Sequence, residues 1–160
     1  MMQNSILTYP VQTPRSHIRF AASQGHPDGE AAADTDRRAG ERLLGKRILI
    51  VEDEALLAFE LQLAFEDEGA EVLGPALTLM KALEVVTHAR EIDFAVLDVD
   101  IAGEDVYPIA ELLLQRGVPF VFHTGHGSRA HLTQLFPAAV TLMKPTRPDT
   151  LIGLAQRMSS

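Results

Sequence analysis

From Lys46 onward the chain alternates short β-branched apolar runs with stretches of helical period, and this alternation narrows the fold more than any other feature. "KRILIVE" (46–52) reads as a buried parallel strand, because a strand covered on both faces carries a continuous apolar run. "EALLAFELQLAFEDEG" (54–69) follows, with Leu57, Leu61, Ala64 and Phe65 at helical spacing and Gly69 placed as a C-cap. The pattern continues as strand 70–74, helix 78–90, strand 92–99, helix 104–117, strand 118–124, a short helix 128–136, strand 138–143 and helix 148–158. Val106, Ile109, Ala110 and Leu113 line one face of the third helix, where Pro108 sits early enough for the first turn. Leu151, Leu154, Ala155 and Met158 line one face of the last. Strands and helices in strict alternation predict a doubly wound α/β sheet with helices on both faces and right-handed crossovers.

Ligands of such sheets lie beyond the carboxyl ends of the strands, where strand order reverses. The first strand ends in Glu52-Asp53, the third in Asp98 with Asp100 two residues on, the fourth in Thr124 and the fifth in Lys144-Pro145. A single strand-end acid often just caps the next helix. If the first and third strands are neighbours, however, these acids converge. Two like charges ~6 Å apart repel by about 3 kcal/mol at an effective dielectric near 20, so such a cluster needs a cation or a raised pKa. Mg²⁺ suits it, being a hard ion that takes oxygen ligands and is usually shared with a phosphate. Lys144 adds a fixed positive charge and Thr124 a hydroxyl donor, and together these suit a phosphoryl group. A carboxylate can itself attack phosphorus and become an acyl phosphate.

Composition excludes several other classes. The 160 residues suit one domain plus an appendage, and 46% hydrophobic content is enough for a core. Residues 1–45 carry five Arg and five acids, are rich in Ala, Gly, Ser and Pro, and show no sustained period. They read as a disordered or weakly structured extension, with a partner-docking tail as the functional alternative, ahead of a domain at 46–160. The whole net charge of −8 falls in that domain, which argues against nucleic acid. No apolar run reaches the ~18 residues of a membrane span, and the first residues lack the pattern of a secretory signal. The chain has no cysteine, which fits a cytoplasmic location.

"VED" at 51–53, "LDV" at 97–99, "FHTG" at 122–125 and "KP" at 144–145 fall in order on these strands, and with them the chain resembles the response regulator receiver domains of bacterial two-component signalling. The resemblance covers about residues 46–158 and implies a flavodoxin-like five-stranded parallel sheet of order 2-1-3-4-5. It also implies that Asp98 is the phosphoacceptor, Asp53 a direct Mg²⁺ ligand, Glu52 a ligand through water and the Asp100 backbone carbonyl a further ligand. Thr124 corresponds to the switch hydroxyl, Lys144 to the phosphate-contacting lysine and Lys144-Pro145 to a cis peptide. "GVPFVFHTGHG" (117–127) is similar to the fourth-strand region of stand-alone alphaproteobacterial receivers, which read Phe-Ala-Thr-Gly-x-Tyr. Two departures stand out. His123 replaces the alanine and the following tyrosine is missing, and Thr141 stands where receivers place an aromatic switch residue.

The expected function is that of a stand-alone, non-enzymatic receiver, at most capable of weak self-dephosphorylation. It would accept a phosphoryl group on Asp98 from a sensor histidine kinase or phosphotransfer protein, then signal to a downstream protein or act as a phosphate sink, with a homodimer possible. Two alternatives stay open. "VLDVDIA" is also similar to the Asp-x-Asp signature of haloacid-dehalogenase-type phosphohydrolases, which would use Asp98 and Asp100, and a receiver-like fold can serve as a non-phosphorylated interaction module. With Thr141 at the aromatic position, the segment "TGHG" and helix 128–136 are candidates to carry a conformational change. Among single residues, His123 is expected to face packing and His126 to fill the space of the family aromatic. Asp100 is expected to tune acyl phosphate lifetime. Leu56, Phe59 and Leu63 are expected to be buried rather than to form a docking face.

Overall fold

The computed structural model describes residues 42–125 and 129–159. Five strands, β1 (Arg47–Val51), β2 (Glu71–Ala76), β3 (Phe94–Leu97), β4 (Phe120–Thr124) and β5 (Val140–Met143), form one all-parallel sheet in the order β2-β1-β3-β4-β5. The helices are α1 (Ala55–Asp67), α2 (Leu79–His88), α3 (Tyr107–Gln115), α4 (Arg129–Leu135) and α5 (Pro148–Met158). This is the expected flavodoxin-like order, with its reversal between β1 and β3.

Successive side chains of a strand point to opposite faces, so each β-branched run feeds two cores at once. Leu49, Val51, Leu97 and Phe122 pack against the buried faces of α2, α3 and α4. Ile48, Ile50, Val96 and Val121 pack on the other side, against Leu61 and Phe65 of α1 and Leu151 and Ala155 of α5. The expected faces of α3 and α5 are borne out: Val106, Ile109, Ala110 and Leu113 are all buried, as are Leu151 and Ala155. In α1 the stripe is rotated slightly, with Ala58, Leu61 and Phe65 buried and Leu57 and Ala64 half-buried at its margin.

Local signals end the elements. Thr78 caps α2 by accepting the Lys81 N–H at 3.2 Å. The far end of α2 is capped from outside: the Arg116 guanidinium donates to the carbonyls of Val86 and Ala89, the latter at 2.8 Å. Pro108 sits in the first turn of α3. Gly69 terminates α1 with φ +81°, and a Cβ there would come within 3.2 Å of the Leu44 Cα.

Three features differ from the sequence expectation. First, Leu56, Phe59 and Leu63 are exposed, by 77%, 54% and 44%, because α1 is apolar on both sides and the sheet covers only one. Second, residues 100–105 belong to no helix. Asp100–Ile101 pairs antiparallel with Glu104–Asp105 around Ala102-Gly103, both with positive φ, which is the geometry of a two-residue hairpin turn. The third strand therefore stops at Leu97 and α3 starts only at Tyr107. Third, β2 runs on to Ala76 through a cis Gly74–Pro75 bond.

Of the extension at 1–45, residues 1–41 lie outside the described residues. Residues 42–45 are packed: Leu43 is buried beside α1 and α5, its N–H donates to the Glu68 carbonyl at 2.9 Å, and Arg42 pairs with the Glu68 carboxylate. On the opposite face an aromatic cluster joins the sheet to α3 and the end of α4. Phe122 lies 5.3 Å from Phe136 and 5.3 Å from Phe120, and Tyr107 lies 5.7 Å from Phe136 between ring centroids. Phe122 is central to that cluster and fully buried. Phe122→Ala should therefore cost about 3–5 kcal/mol, read as a lower urea midpoint at unchanged slope.

Candidate functional site

Sheet register delivers the site. Val51 is level with Leu97, and Leu97 with Phe122. Each strand's next residues therefore leave the sheet at one edge: Glu52-Asp53 after β1, Asp98 after β3, and Thr124 at the end of β4. Backbone bonds continue the ladder into the site, from Asp98 N–H to the Val51 carbonyl at 2.8 Å and from Lys144 N–H to the Thr124 carbonyl at 2.8 Å. Every candidate read from the sequence, Glu52, Asp53, Asp98, Asp100, Thr124 and Lys144, lines one open pocket.

At its centre is the Lys144 ammonium. It donates to Asp98 Oδ2 at 2.5 Å and to Glu52 Oε1 at 2.8 Å, reaching down from the cis Lys144–Pro145 junction. Glu52 is almost wholly buried, and burial pushes its carboxyl up even though the Lys144 contacts pull the other way. Burial also acts to lower the Lys144 pKa, but its hydrogen bonds to Asp98 and Glu52 outweigh that and raise it. The two directions describe one imbalance: a single ammonium is shared by two buried carboxylates, so it holds its own proton firmly and leaves Glu52 under-compensated.

Asp53 adds a third carboxylate. One oxygen each of Glu52, Asp53 and Asp98 lie within 4.8 Å of one another. Three carboxylates against one ammonium leave excess negative charge in a set of hard oxygen donors. That donor set fits Mg²⁺, as the sequence suggested.

The hairpin missed from sequence positions this set. The Ala102 N–H donates to Asp53 Oδ2 at 2.9 Å, and Asp100 Oδ1 accepts the Gly103 N–H at 2.6 Å. The Asp100 N–H approaches Asp98 Oδ1 at 3.4 Å. A small residue followed by glycine between two polar residues, "IAGE", was the available signal for this turn. Asp100 thus turns its carboxylate into the hairpin and is exposed. A general acid would face the leaving group instead, and this counts against the phosphohydrolase alternative. Gly125 is exposed at the rim, and a Cβ there would make only ordinary contact with Lys144 Cδ at 3.9 Å.

His123 is buried on the face opposite Thr124, as expected from strand alternation, and is 1% exposed. Its two ring nitrogens have no hydrogen-bond partner among the described residues. Burial, reinforced by Lys144 and opposed by Asp98, brings its pKa down to about 4. His126 and Gly127, the second half of "TGHG", lie outside the described residues. Thr141 is half-buried on β5, and α4 is anchored to the core through Leu132, with Phe136 buried just after it.

Comparison with known proteins agrees with this geometry. A profile of the response regulator receiver domain matches residues 48–156. The phyllosphere-induced regulator PhyR of Methylorubrum extorquens is 27% identical over 126 residues, covering 76% of this chain and 47% of the relative. The chain thus spans about half the length of that curated relative. Among solved structures, the non-phosphorylated HemR receiver domain of Leptospira biflexa is 28% identical, covers 72% of this chain and 94% of its own, and superposes with a TM-score of 0.61. The response regulator PhyR of Brucella abortus is 23% identical, with coverage of 81% and 54% and a TM-score of 0.62, a likeness of fold.

Two predictions follow from the charges. Native His123 stays neutral down to about pH 4 while the unfolded chain protonates it near 6.5. Stability should be unaffected above that upper value and be lost as pH falls between the two, by up to about 3 kcal/mol. His123→Leu should remove this component, so urea unfolding of the two proteins from neutral pH to about pH 4 should show the variant losing less. A difference independent of pH would contradict it. Secondly, Mg²⁺ binding should weaken as pH falls, because a proton on Glu52 removes charge from the site. Glu52→Gln should bind about 10–100-fold more weakly at neutral pH and lose that pH dependence, as measured by calorimetric titration.

Proposed function

This chain belongs to the response regulator receiver domains, and from that membership we propose that it accepts a phosphoryl group on Asp98 from a sensor histidine kinase or phosphotransfer protein. The observation that carries the proposal is the Lys144 ammonium 2.5 Å from Asp98 Oδ2 within a cluster of three carboxylates. That contact puts a fixed positive charge beside the one carboxylate that ends the central strand.

An Asp98 oxygen attacks phosphorus, the P–N bond of the donor phosphohistidine breaks, and its electron pair stays on the imidazole, which takes up a proton. Lys144 holds Asp98 in place beforehand. As negative charge spreads over the phosphoryl oxygens, its ammonium is within reach of them and exchanges a carboxylate contact for a phosphate one. Thr124, at the end of the neighbouring strand, offers its hydroxyl to the same oxygens. Glu52, Asp53, Asp98 and the carbonyl of Asp100 would hold Mg²⁺, which supplies charge neutralisation to the phosphoryl group when bound. The Ala102 N–H keeps Asp53 turned into the site.

With Thr141 at the usual aromatic position, the response to phosphorylation runs through the Phe122–Phe136–Tyr107 cluster, which links the strand carrying Thr124 to α3 and the end of α4. The readout is a protein-protein interaction or withdrawal of phosphate from a shared donor. Among the described residues no helix is long and apolar enough to cross a membrane, and the acidic surface disfavours nucleic acid. A cytoplasmic location and a homodimer are compatible with this reading.

Incubation with Mg²⁺ and acetyl phosphate should add one phosphoryl group, located by mass on the peptide containing Asp98 and absent from Asp98→Ala. Continuous turnover of a phosphate ester would instead favour a phosphohydrolase, and no modification at all an interaction module. Asp100→Asn should change the decay rate of the phosphorylated chain by about 2–10-fold, the range for one nearby charge about 6 Å away at an intermediate dielectric; an unchanged half-life would show that Asp100 does not tune the acyl phosphate.

A further inference from the structure

The outer side of α1 carries exposed Leu56, Phe59 and Leu63. At ~100° per residue these three fall within about 60° of one another, so they form one ridge along the helix. Glu60 and Asp67 border the ridge on one side and Glu66 on the other, all exposed, and α1 contains no Lys or Arg. An apolar strip with acidic borders suits an occupant that is apolar and basic. A second copy packed ridge to ridge would set these acids against their own images, so α1 does not suit itself.

The chain itself holds a stretch of the required kind. All five acids of residues 1–41 lie at 28–41, and the first 27 residues have none. Within those first residues, "RSHIRF" (15–20) combines Arg15 and Arg19 with Ile18 and Phe20. The stretch around Ile6 and Val11 is apolar but has no charge, so 15–20 answers the acids better. Alternation in an extended run puts Ile18 and Phe20 on one edge and Arg15, His17 and Arg19 on the other. Two extended residues advance about 6.6–6.8 Å and four helical residues about 6.0 Å. Ile18 and Phe20 therefore match the spacing of Phe59 and Leu63.

The join between extension and domain lies at the foot of this ridge. Arg42 pairs with the Glu68 carboxylate just past the end of α1, and the Leu43 N–H donates to the Glu68 carbonyl at 2.9 Å. From Glu68 back to Phe59 is about 14 Å along the helix. A coil as long as the separation of Phe20 from Arg42 has a root-mean-square span of about 26 Å, so the reach is ample. Such a tether sets a local concentration on the order of millimolar, enough to populate a contact with a Kd of about 1 mM roughly half the time. The acids at 28–41 are repelled by Glu60, Glu66 and Asp67, which keeps the intervening stretch off the ridge.

We propose that residues 15–20 cover the α1 ridge in cis, with Ile18 and Phe20 against Phe59 and Leu63 and with Arg15 and Arg19 toward Glu60 and Asp67. The face is then open to another protein only when this segment is displaced. The cover rests on α1 and on the composition of the extension, and it is independent of phosphoryl acceptance by Asp98.

The test uses the full chain. Because it has no cysteine, Ser23→Cys gives a single attachment point for a nitroxide. Amides of α1 from Leu56 to Leu63 should be broadened in ¹⁵N spectra, whereas those of Leu112 to Leu114, on the other side of the sheet, should not. Phe20→Ala should lower the ratio of docked to undocked chains about fivefold through lost apolar contact. Arg15→Glu combined with Arg19→Glu should do the same through two exposed charge pairs. Phe59→Ser, at an exposed position, should release the segment from the α1 side while leaving the β1 and β3 amides in place. Isotope-free nitroxide chains mixed with unmodified ¹⁵N chains separate cis from trans contact, and the mixture should show no broadening. Absence of α1 broadening, broadening spread evenly over the domain, or broadening unchanged by these substitutions would each overturn the cover. Broadening of α1 in the mixture would show that the segment comes from a second copy and would overturn the cis assignment.

Discussion

Three carboxylates drawn to one sheet edge repel one another, and the Lys144 ammonium is what makes their assembly tolerable. It bonds Glu52 and Asp98 together at 2.8 and 2.5 Å and leaves Asp53 as uncompensated charge. A full complement of cations would make the cluster inert, and none would pull it apart or protonate it. A partial complement makes it hungry for a divalent ion and for a phosphate that shares one. The chemistry of the site thus comes from an arithmetic deficit of positive charge held in place by a stiff scaffold.

The stiffness comes from the sheet. Parallel registers bring Val51, Leu97 and Phe122 level, and hydrophobic packing on both faces prevents any strand from slipping by one residue, since a slip would exchange its two faces. The acidic side chains inherit that precision because each follows its strand by one or two residues. The hairpin at 100–105 adds a second constraint, pinning Asp53 through the Ala102 N–H. Two cores also give the edge two sides: Thr124 lines the acidic pocket, while its neighbour His123 is buried toward α1 and the loop after β5.

Much of this was legible in the residues. The ends of β1, β3, β4 and β5 are legible because β-branched runs stop abruptly at charged or hydroxyl residues, and the motifs at 51–53, 97–99 and 144–145 mark the residues that line the pocket. Boundaries were less legible. Strand 92–99 and helix 104–117 were read too long because Ala102-Gly103 is a turn whose positive φ values no periodicity reveals. Leu56, Phe59 and Leu63 were read as core because a helix apolar on every side gives no phase by which to choose the buried one.

By itself the sequence determined the order of elements, the α/β class and the identity of the residues at the strand ends, since these depend on local period and on which residue follows which. Only the tertiary structure decided the distances that make them a site, the shared ammonium and the hairpin amide on Asp53, and the burial of the His123 imidazole behind it. The physical reason is that hydrogen bonding and charge compensation act across ångströms between site residues as far as 92 positions apart in the chain, and burial, which shifts the pKa of Glu52 and of His123, belongs to the packed molecule and to no segment of it.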